Sequence, residues 1–309
     1  MNFIEINGQK IEILSKGTGK PAILILSGMG SPFYEWEEIS SKLAETNQVI
    51  MYHRPGLGKS EYLHKKRSTE NVNAEIPQIL EKLNITEPII LAGHSYGGLC
   101  AQHFSKLYPE RIQGLLLLDS TSVDLYKLDQ LDLPYLNEND SDAAWIEICK
   151  EHAALSPTEL LKLLDPVLTK EQQKLPKKTQ EKLIAFYTNP SLYKTMLQEI
   201  SNWEKDAEII KALSYTGNFP VTIIGRNKRK CILNYIDDGV PKEEAELLED
   251  TWHQLIMEQK DIYKNAKLLF ALGAGHDIYL DQPQLVIKEI KKLIYQEYFN
   301  KKEMRDFHI

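Results

Sequence analysis

Residues 88–104 constrain the chain most tightly. The apolar run Pro88-Ile89-Ile90-Leu91-Ala92 passes straight into Gly93-His94-Ser95-Tyr96-Gly97, and apolar positions then recur at helical spacing through Phe104, ahead of Pro109. The run is short, branched and free of charge, which predicts a strand buried on both faces. A strand that becomes a helix over so few residues needs a sharp turn. Glycines two before and two after Ser95 remove the side chains that would clash there. Such a turn lifts the Ser95 hydroxyl above the sheet edge, within reach of a base. It also aims the Tyr96 backbone N–H at the same space. Ser95 is therefore the candidate nucleophile. The plainer reading is a glycine-rich connection whose serine only caps the helix.

The rest of the chain alternates in the same manner. Asn7-Gly8 predicts a hairpin joining Phe3–Ile6 to Lys10–Leu14. Strands are expected at Ala22–Leu26, Gln48–Tyr52 and Gly114–Asp119, with helices at Tyr34–Leu43 and Asn71–Leu83. From about Ser122 to Leu213 only helices are read. They include the capping box Ser156-Pro157-Thr158-Glu159 and a long amphipathic segment, Ser191–Leu213. Strands return at Pro220–Gly225 and Ala266–Leu272, and a closing helix opens at Asp281-Gln282-Pro283. This order predicts an α/β fold with a mostly parallel central sheet and helices on both faces. Residues 1–121 and 214–309 would form the core, and 122–213 a helical lid over the sheet's carboxyl edge, where open α/β sheets bind ligands.

Composition narrows the partners. With 309 residues, 42% of them hydrophobic, the chain can build one large core with an insertion. A formal charge of −7 argues against nucleic acid. No apolar stretch approaches the roughly 20 residues of a membrane span, and the N-terminus lacks the basic and apolar regions of a signal peptide. Cys100, Cys149 and Cys231 are odd in number and widely spaced. They point to neither a disulfide framework nor a metal site, and fit a reducing cytoplasm. A small-molecule substrate, no cofactor, and a monomer or homodimer are expected.

A serine hydroxyl near neutral pH needs a base, and the base needs an orienting acid. His276 is the candidate base, because it follows the last predicted strand in the glycine-rich loop Leu272-Gly273-Ala274-Gly275-His276-Asp277. His94 lies inside the turn, His103 on the next helix, His152 in the lid and His253 on a surface helix. His64 and His308 sit in polar segments.

Four motifs in order now resemble the α/β-hydrolase superfamily of serine hydrolases, over most of the chain outside the helical insertion. Gly93–Gly97 looks like the nucleophile elbow. Ser27-Gly28-Met29-Gly30 resembles an oxyanion loop that more often reads His-Gly-x-Gly. Tyr52-His53-Arg54-Pro55-Gly56-Leu57-Gly58-Lys59-Ser60 is similar to the segment Asp-Arg-Pro-Gly-x-Gly-x-Ser. Gly275-His276-Asp277 with Asp281-Gln282-Pro283 resembles the histidine loop. The resemblance implies an oxyanion hole made by the backbone N–H groups of Met29 and Tyr96.

One departure matters. The family commonly places its acid three residues after the glycine that ends the strand following the lid. Here that glycine is Gly225 and the position holds Lys228, which cannot accept the imidazole N–H. Some members carry the acid at the end of the preceding strand, and that position is Asp119. Its plainer role is to hydrogen-bond the turn Ser120-Thr121-Ser122. Asp237 and Asp238 are the reserve, whereas Asp277 adjoins His276 and diverges from it. Arg226, opening the basic run Arg226–Lys230, is a candidate ligand for an anionic substrate group. The expectation is a serine hydrolase acting on a small carboxylic ester or related acyl bond. The alternatives are a carbon–carbon bond hydrolase, an iminopeptidase or a lyase on the same frame, or a non-enzymatic ligand sensor.

Overall fold

The computed structural model describes residues 2–62, 66–264 and 266–306, the last of these from 296 by backbone alone. His64 and His308 lie outside the described residues. One sheet contains β1 (Asn2–Ile6), β2 (Gln9–Lys16), β3 (Ile23–Leu26), β4 (Val49–Tyr52), β5 (Ile89–His94), β6 (Ile112–Leu118), β7 (Val221–Gly225) and β8 (Lys267–Phe270). Their order is β1-β2-β4-β3-β5-β6-β7-β8. β2 runs antiparallel to both neighbours, and β3 through β8 are mutually parallel. Asn7 and Gly8 both take positive φ, as a two-residue turn between twisted strands requires.

The helices are α1 (Glu37–Leu43), α2 (Thr69–Lys82) and α3 (Tyr96–Leu107), then α4 (Tyr126–Asp129), α5 (Pro134–Asn139) and α6 (Asp142–Ala154). There follow α7 (Pro157–Leu164), α8 (Lys177–Tyr187), α9 (Pro190–Ala212), α10 (Lys228–Asp237), α11 (Lys242–Ile262), α12 (Ile278–Asp281) and α13 (Pro283–Asp306). The helix expected from Tyr34 begins as a 3₁₀ turn, Phe33–Trp36, before α1 takes over. Among the described residues no helix is long and apolar enough to cross a membrane.

The uninterrupted apolar strands are explained by two cores. Ile23, Ile25, Ile90, Ala92, Leu116 and Leu118 pack with Ile39 and Leu43 of α1 and Val286 and Ile290 of α13. Their neighbours Leu24, Leu26, Leu91, Leu115 and Leu117 pack with Val72 and Ile76 of α2, Leu99 and Phe104 of α3 and Ile256 of α11. Successive strand residues point to opposite faces, so a strand covered on both sides must be apolar at every position.

The chain leaves β3 for β4 on one side and returns to β5 on the other. Two connections therefore diverge at the carboxyl ends of β3 and β5, where α/β sheets place ligands. Leu26 pairs with Gly93 there, which sets the loop after β3 against the turn after β5. Between β6 and β7 the described residues form α4 to α9 and their connections. Ser156 and Glu159 make both bonds of the capping box that opens α7. α9 is fastened to the sheet domain along its length. Thr195 donates to the Pro55 carbonyl at 3.2 Å, Asn202 to that of Arg67 at 3.1 Å, and Lys106 to those of Ile210 and Leu213 at 2.8 and 3.0 Å.

The turn from β5 into α3 leaves no room for side chains at its glycines. A Cβ on Gly93 would lie 2.7 Å from Gly98 Cα, and one on Gly97 2.6 Å from the Ser27 carbonyl oxygen. Both obstacles are backbone and cannot rotate away. Gly93→Ala should therefore lower the unfolding free energy by about 2 kcal/mol or more, measured by urea denaturation. A loss below about 0.5 kcal/mol would mean that the turn relaxes to accept a methyl group.

Candidate active site

Ser95 occupies the junction of β5 and α3 with φ 52° and ψ −124°, a conformation that costs an L-residue energy and persists because its surroundings fix it. Its amide donates to the Leu118 carbonyl at 3.2 Å. Its carbonyl accepts from Gly98, Leu99 and Thr121 at 2.8, 3.2 and 3.1 Å. Tyr96 is the first residue of α3, so its N–H has no acceptor within the helix.

Asp119 follows β6 immediately and is fully buried, with φ 39°. Its Oδ2 lies 2.6 Å from His276 Nδ1, and its Oδ1 accepts from the Arg226 backbone N–H at 3.1 Å and Trp252 Nε1 at 3.0 Å. Burial by itself would raise this carboxyl. The charge of Arg226 and the hydrogen bonds from His276 and Trp252 outweigh it and hold Asp119 below the usual carboxylate range. Nδ1 of His276 is therefore the protonated nitrogen, which leaves Nε2 to accept. His94 is pushed down to about 4 by burial and by neighbouring His276, and so stays neutral. Its Nε2 lies 3.1 Å from the His276 carbonyl oxygen and donates to it. Asp281 accepts from the Gly275 N–H at 2.6 Å and from Lys230 at 2.7 Å, bracing the same loop.

Met29 and Ser95 line one cavity, and a Cβ on Gly28 would lie 3.2 Å from Ser95 Cβ. Arg54 holds this loop by donating to the carbonyls of Ser27 and Gly28 at 2.8 and 3.0 Å. The guanidinium also makes a two-pronged pair with Glu199 of α9, at 2.6 and 3.0 Å, with both side chains buried. Arg54 thus braces the loop that carries Ser27 and Gly28. Glu199 escaped the sequence reading; its one signal is a carboxylate set directly before Ile200 in an otherwise amphipathic helix.

Three of the four basic side chains in the run after β7 pair with acids. Arg226 pairs with both oxygens of Glu249, Lys228 with Asp250 and Lys230 with Asp281. Arg226 lines the cavity, and its guanidinium pairs with Glu249 and lies 3.5 Å from Asp119. Asp237 and Asp238 are exposed at the end of α10, away from the carboxylate that His276 contacts. Glu249 and Trp252 were not singled out in the sequence, and only their spacing of one helical turn marks them.

Ser95, His276 and Met29 open on a cavity of about 470 Å³. From residues 122–213 it is lined by Leu125, Leu128, Leu133, Leu136, Trp145, Met196, Ile200 and Trp203, and by the polar Asp129, Asn137, Asp140 and Ser141. Of the aromatic residues between β6 and β7, Trp145 and Trp203 reach the cavity, whereas Phe186 packs beside His53 and Tyr193 against His152. Asp142 also lines it and accepts from Trp203 Nε1 at 2.6 Å. Burial, with Asp129 and Glu204 nearby, pushes its carboxyl up to about 6 against the opposing Trp203 bond.

The family model described as alpha/beta hydrolase fold matches residues 21–146. An uncharacterised Bacillus subtilis protein, YbdG, is 30% identical over 118 residues, 38% of this chain and 36% of that protein. A cis-3-alkyl-4-alkyloxetan-2-one decarboxylase of Shewanella oneidensis is 28% identical over 127 residues, 40% of each chain. The match thus spans about two fifths of the length of these curated relatives. Among solved structures, a thermophilic esterase from Thermogutta terrifontis superposes with a TM-score of 0.64 at 18% identity, covering 96% of this chain and 99% of the esterase.

The raised Asp142 carboxyl binds its proton more tightly in the folded chain than in the unfolded one, where its value is about 3.9. Stability contributed by that proton is therefore lost as pH rises from about 4 through 6. Asp142→Asn, whose amide oxygen still accepts from Trp203, should raise Tm at pH 7.5 and leave it unchanged at pH 4. An equal gain at both values would rule out charge as the cause.

Proposed function

We propose that this α/β-hydrolase-fold chain is a serine hydrolase that cleaves a small carboxylic ester or related acyl bond. The observation that carries the reading is the 2.6 Å contact between His276 Nδ1 and buried Asp119, with His276 and Ser95 on the wall of one cavity. In this reading Ser95 Oγ attacks the carbonyl carbon while His276 Nε2 takes its proton. Asp119 keeps the imidazole in the required tautomer and stabilises the imidazolium. The Met29 and Tyr96 N–H groups receive the oxyanion, and His276 returns the proton to the leaving group. A water activated by His276 then releases the acyl group from Ser95.

Residues 122–213 act as the lid, and its leucines and tryptophans favour an uncharged, apolar acyl or alkyl group over an anionic one. No cofactor takes part. The free cysteines Cys100, Cys149 and Cys231 support a cytoplasmic setting. A non-enzymatic sensor would be favoured by a missing acid at position 228, and the 2.6 Å His276–Asp119 contact supports the enzyme reading instead.

Treatment with a fluorophosphonate followed by mass spectrometry should find Ser95 modified, with no labelling in Ser95→Ala or His276→Ala. Asp119→Asn should fold and label about 10³- to 10⁴-fold more slowly, by the protease precedent for a triad acid. Undiminished labelling of that variant would move the acid's role elsewhere. Labelling at Ser95 without turnover of any short- or medium-chain ester would favour a carbon–carbon bond hydrolase or lyase.

A further inference from the structure

The acid of the site is backed by a second pair of charges. Arg226 Nη1 lies 3.5 Å from Asp119 Oδ2, while its Nε and Nη2 pair with the two oxygens of Glu249. Both side chains are buried, at 8% and 1% exposure. Trp252, one turn beyond Glu249 on α11, places its ring 4.1 Å from the Arg226 Cζ and donates its indole N–H to Asp119 Oδ1.

We propose that Arg226 and Glu249 are positioning residues, a mutually neutralising pair that fixes the Asp119 carboxylate and sets the net charge felt by His276. This rests on the serine-hydrolase reading, since it concerns the same histidine. Arg226 supplies what a buried carboxylate needs, a backbone N–H and a cation. Alone, that cation would also oppose the imidazolium that must form beside it. Glu249 cancels the charge and leaves the geometry. The groups facing His276 are then Asp119 at the end of β6, Arg226 after β7, Glu249 and Trp252 on α11, neutral His94 from β5, and exposed Asp277 beside it. Two carboxylates and one guanidinium leave a single negative charge behind the ring, the same charge that Asp119 alone would supply.

The test is the pH dependence of fluorophosphonate labelling at Ser95, whose acidic limb follows loss of neutral His276. Glu249→Gln keeps a hydrogen-bond acceptor for Arg226 but leaves its cation unbalanced. Its limb should move about one pH unit toward lower pH, the effect of removing one buried negative charge at short range. Arg226→Gln should move the limb upward, and the double variant should bring it back toward the wild-type position. A merely structural role would lower the labelling rate at every pH and leave the limb in place. A limb that stays fixed or rises in Glu249→Gln overturns the proposal. Should that variant not fold, Arg226→Gln decides: an upward move supports the pair, and any other result overturns it. A wild type that labels without an acidic limb overturns the serine-hydrolase reading itself. A wild-type limb that the variants do not move overturns the pair alone.

Discussion

The buried Asp119 carboxylate is the group around which the carboxyl edge of the sheet is organised. A fully buried carboxylate is costly unless its lone pairs are filled and its charge is matched. Three elements meet that demand. Arg226, just after β7, supplies a backbone N–H and a cation, α11 supplies an indole, and the loop after β8 supplies the His276 imidazole. The same contacts lock those three elements to the end of β6. The requirement of one charge thus brings together residues spread from position 119 to position 276.

A second buried pair ties the other half of the edge together. Arg54 grips the loop after β3 by two carbonyls and is itself gripped by Glu199 on α9. With the bonds from Thr195, Asn202 and Lys106, this makes α9 part of the sheet domain in mechanical terms, although it lies in the stretch between β6 and β7. Glu35 offers a contrast: burial pushes its carboxyl up, and it is satisfied by neutral donors alone, from Tyr279, Gln172 and Tyr187. The site region therefore uses charge pairing beside Asp119 and Arg54, and neutral hydrogen bonding where no cation is available.

Lys228, three residues after Gly225, cannot accept from the His276 ring, so that loop offers the histidine no acid there. The chain instead places Lys228 at the start of α10, paired outward with Asp250, and brings Asp119 across from the adjacent strand. β6 and β7 are parallel neighbours, with Leu118 opposite Ile224, so their carboxyl ends reach the same histidine from adjacent positions.

What the sequence determined by itself is whatever depends on local pattern. The apolar runs of β3, β5 and β6, the Asn7-Gly8 turn, the glycines around Ser95 and the capping box at Ser156 follow from backbone sterics and periodicity over a few residues. The sheet order and the acids that pair with Arg54, Arg226, Lys228 and Lys230 were decided only by tertiary structure. Arg226 and Glu249 are 23 residues apart, Arg54 and Glu199 145, and Asp119 and His276 157. A charge in a sequence carries no mark of the charge that will balance it. That pairing is set when burial strips water from both groups and leaves each the other as its best available solvent.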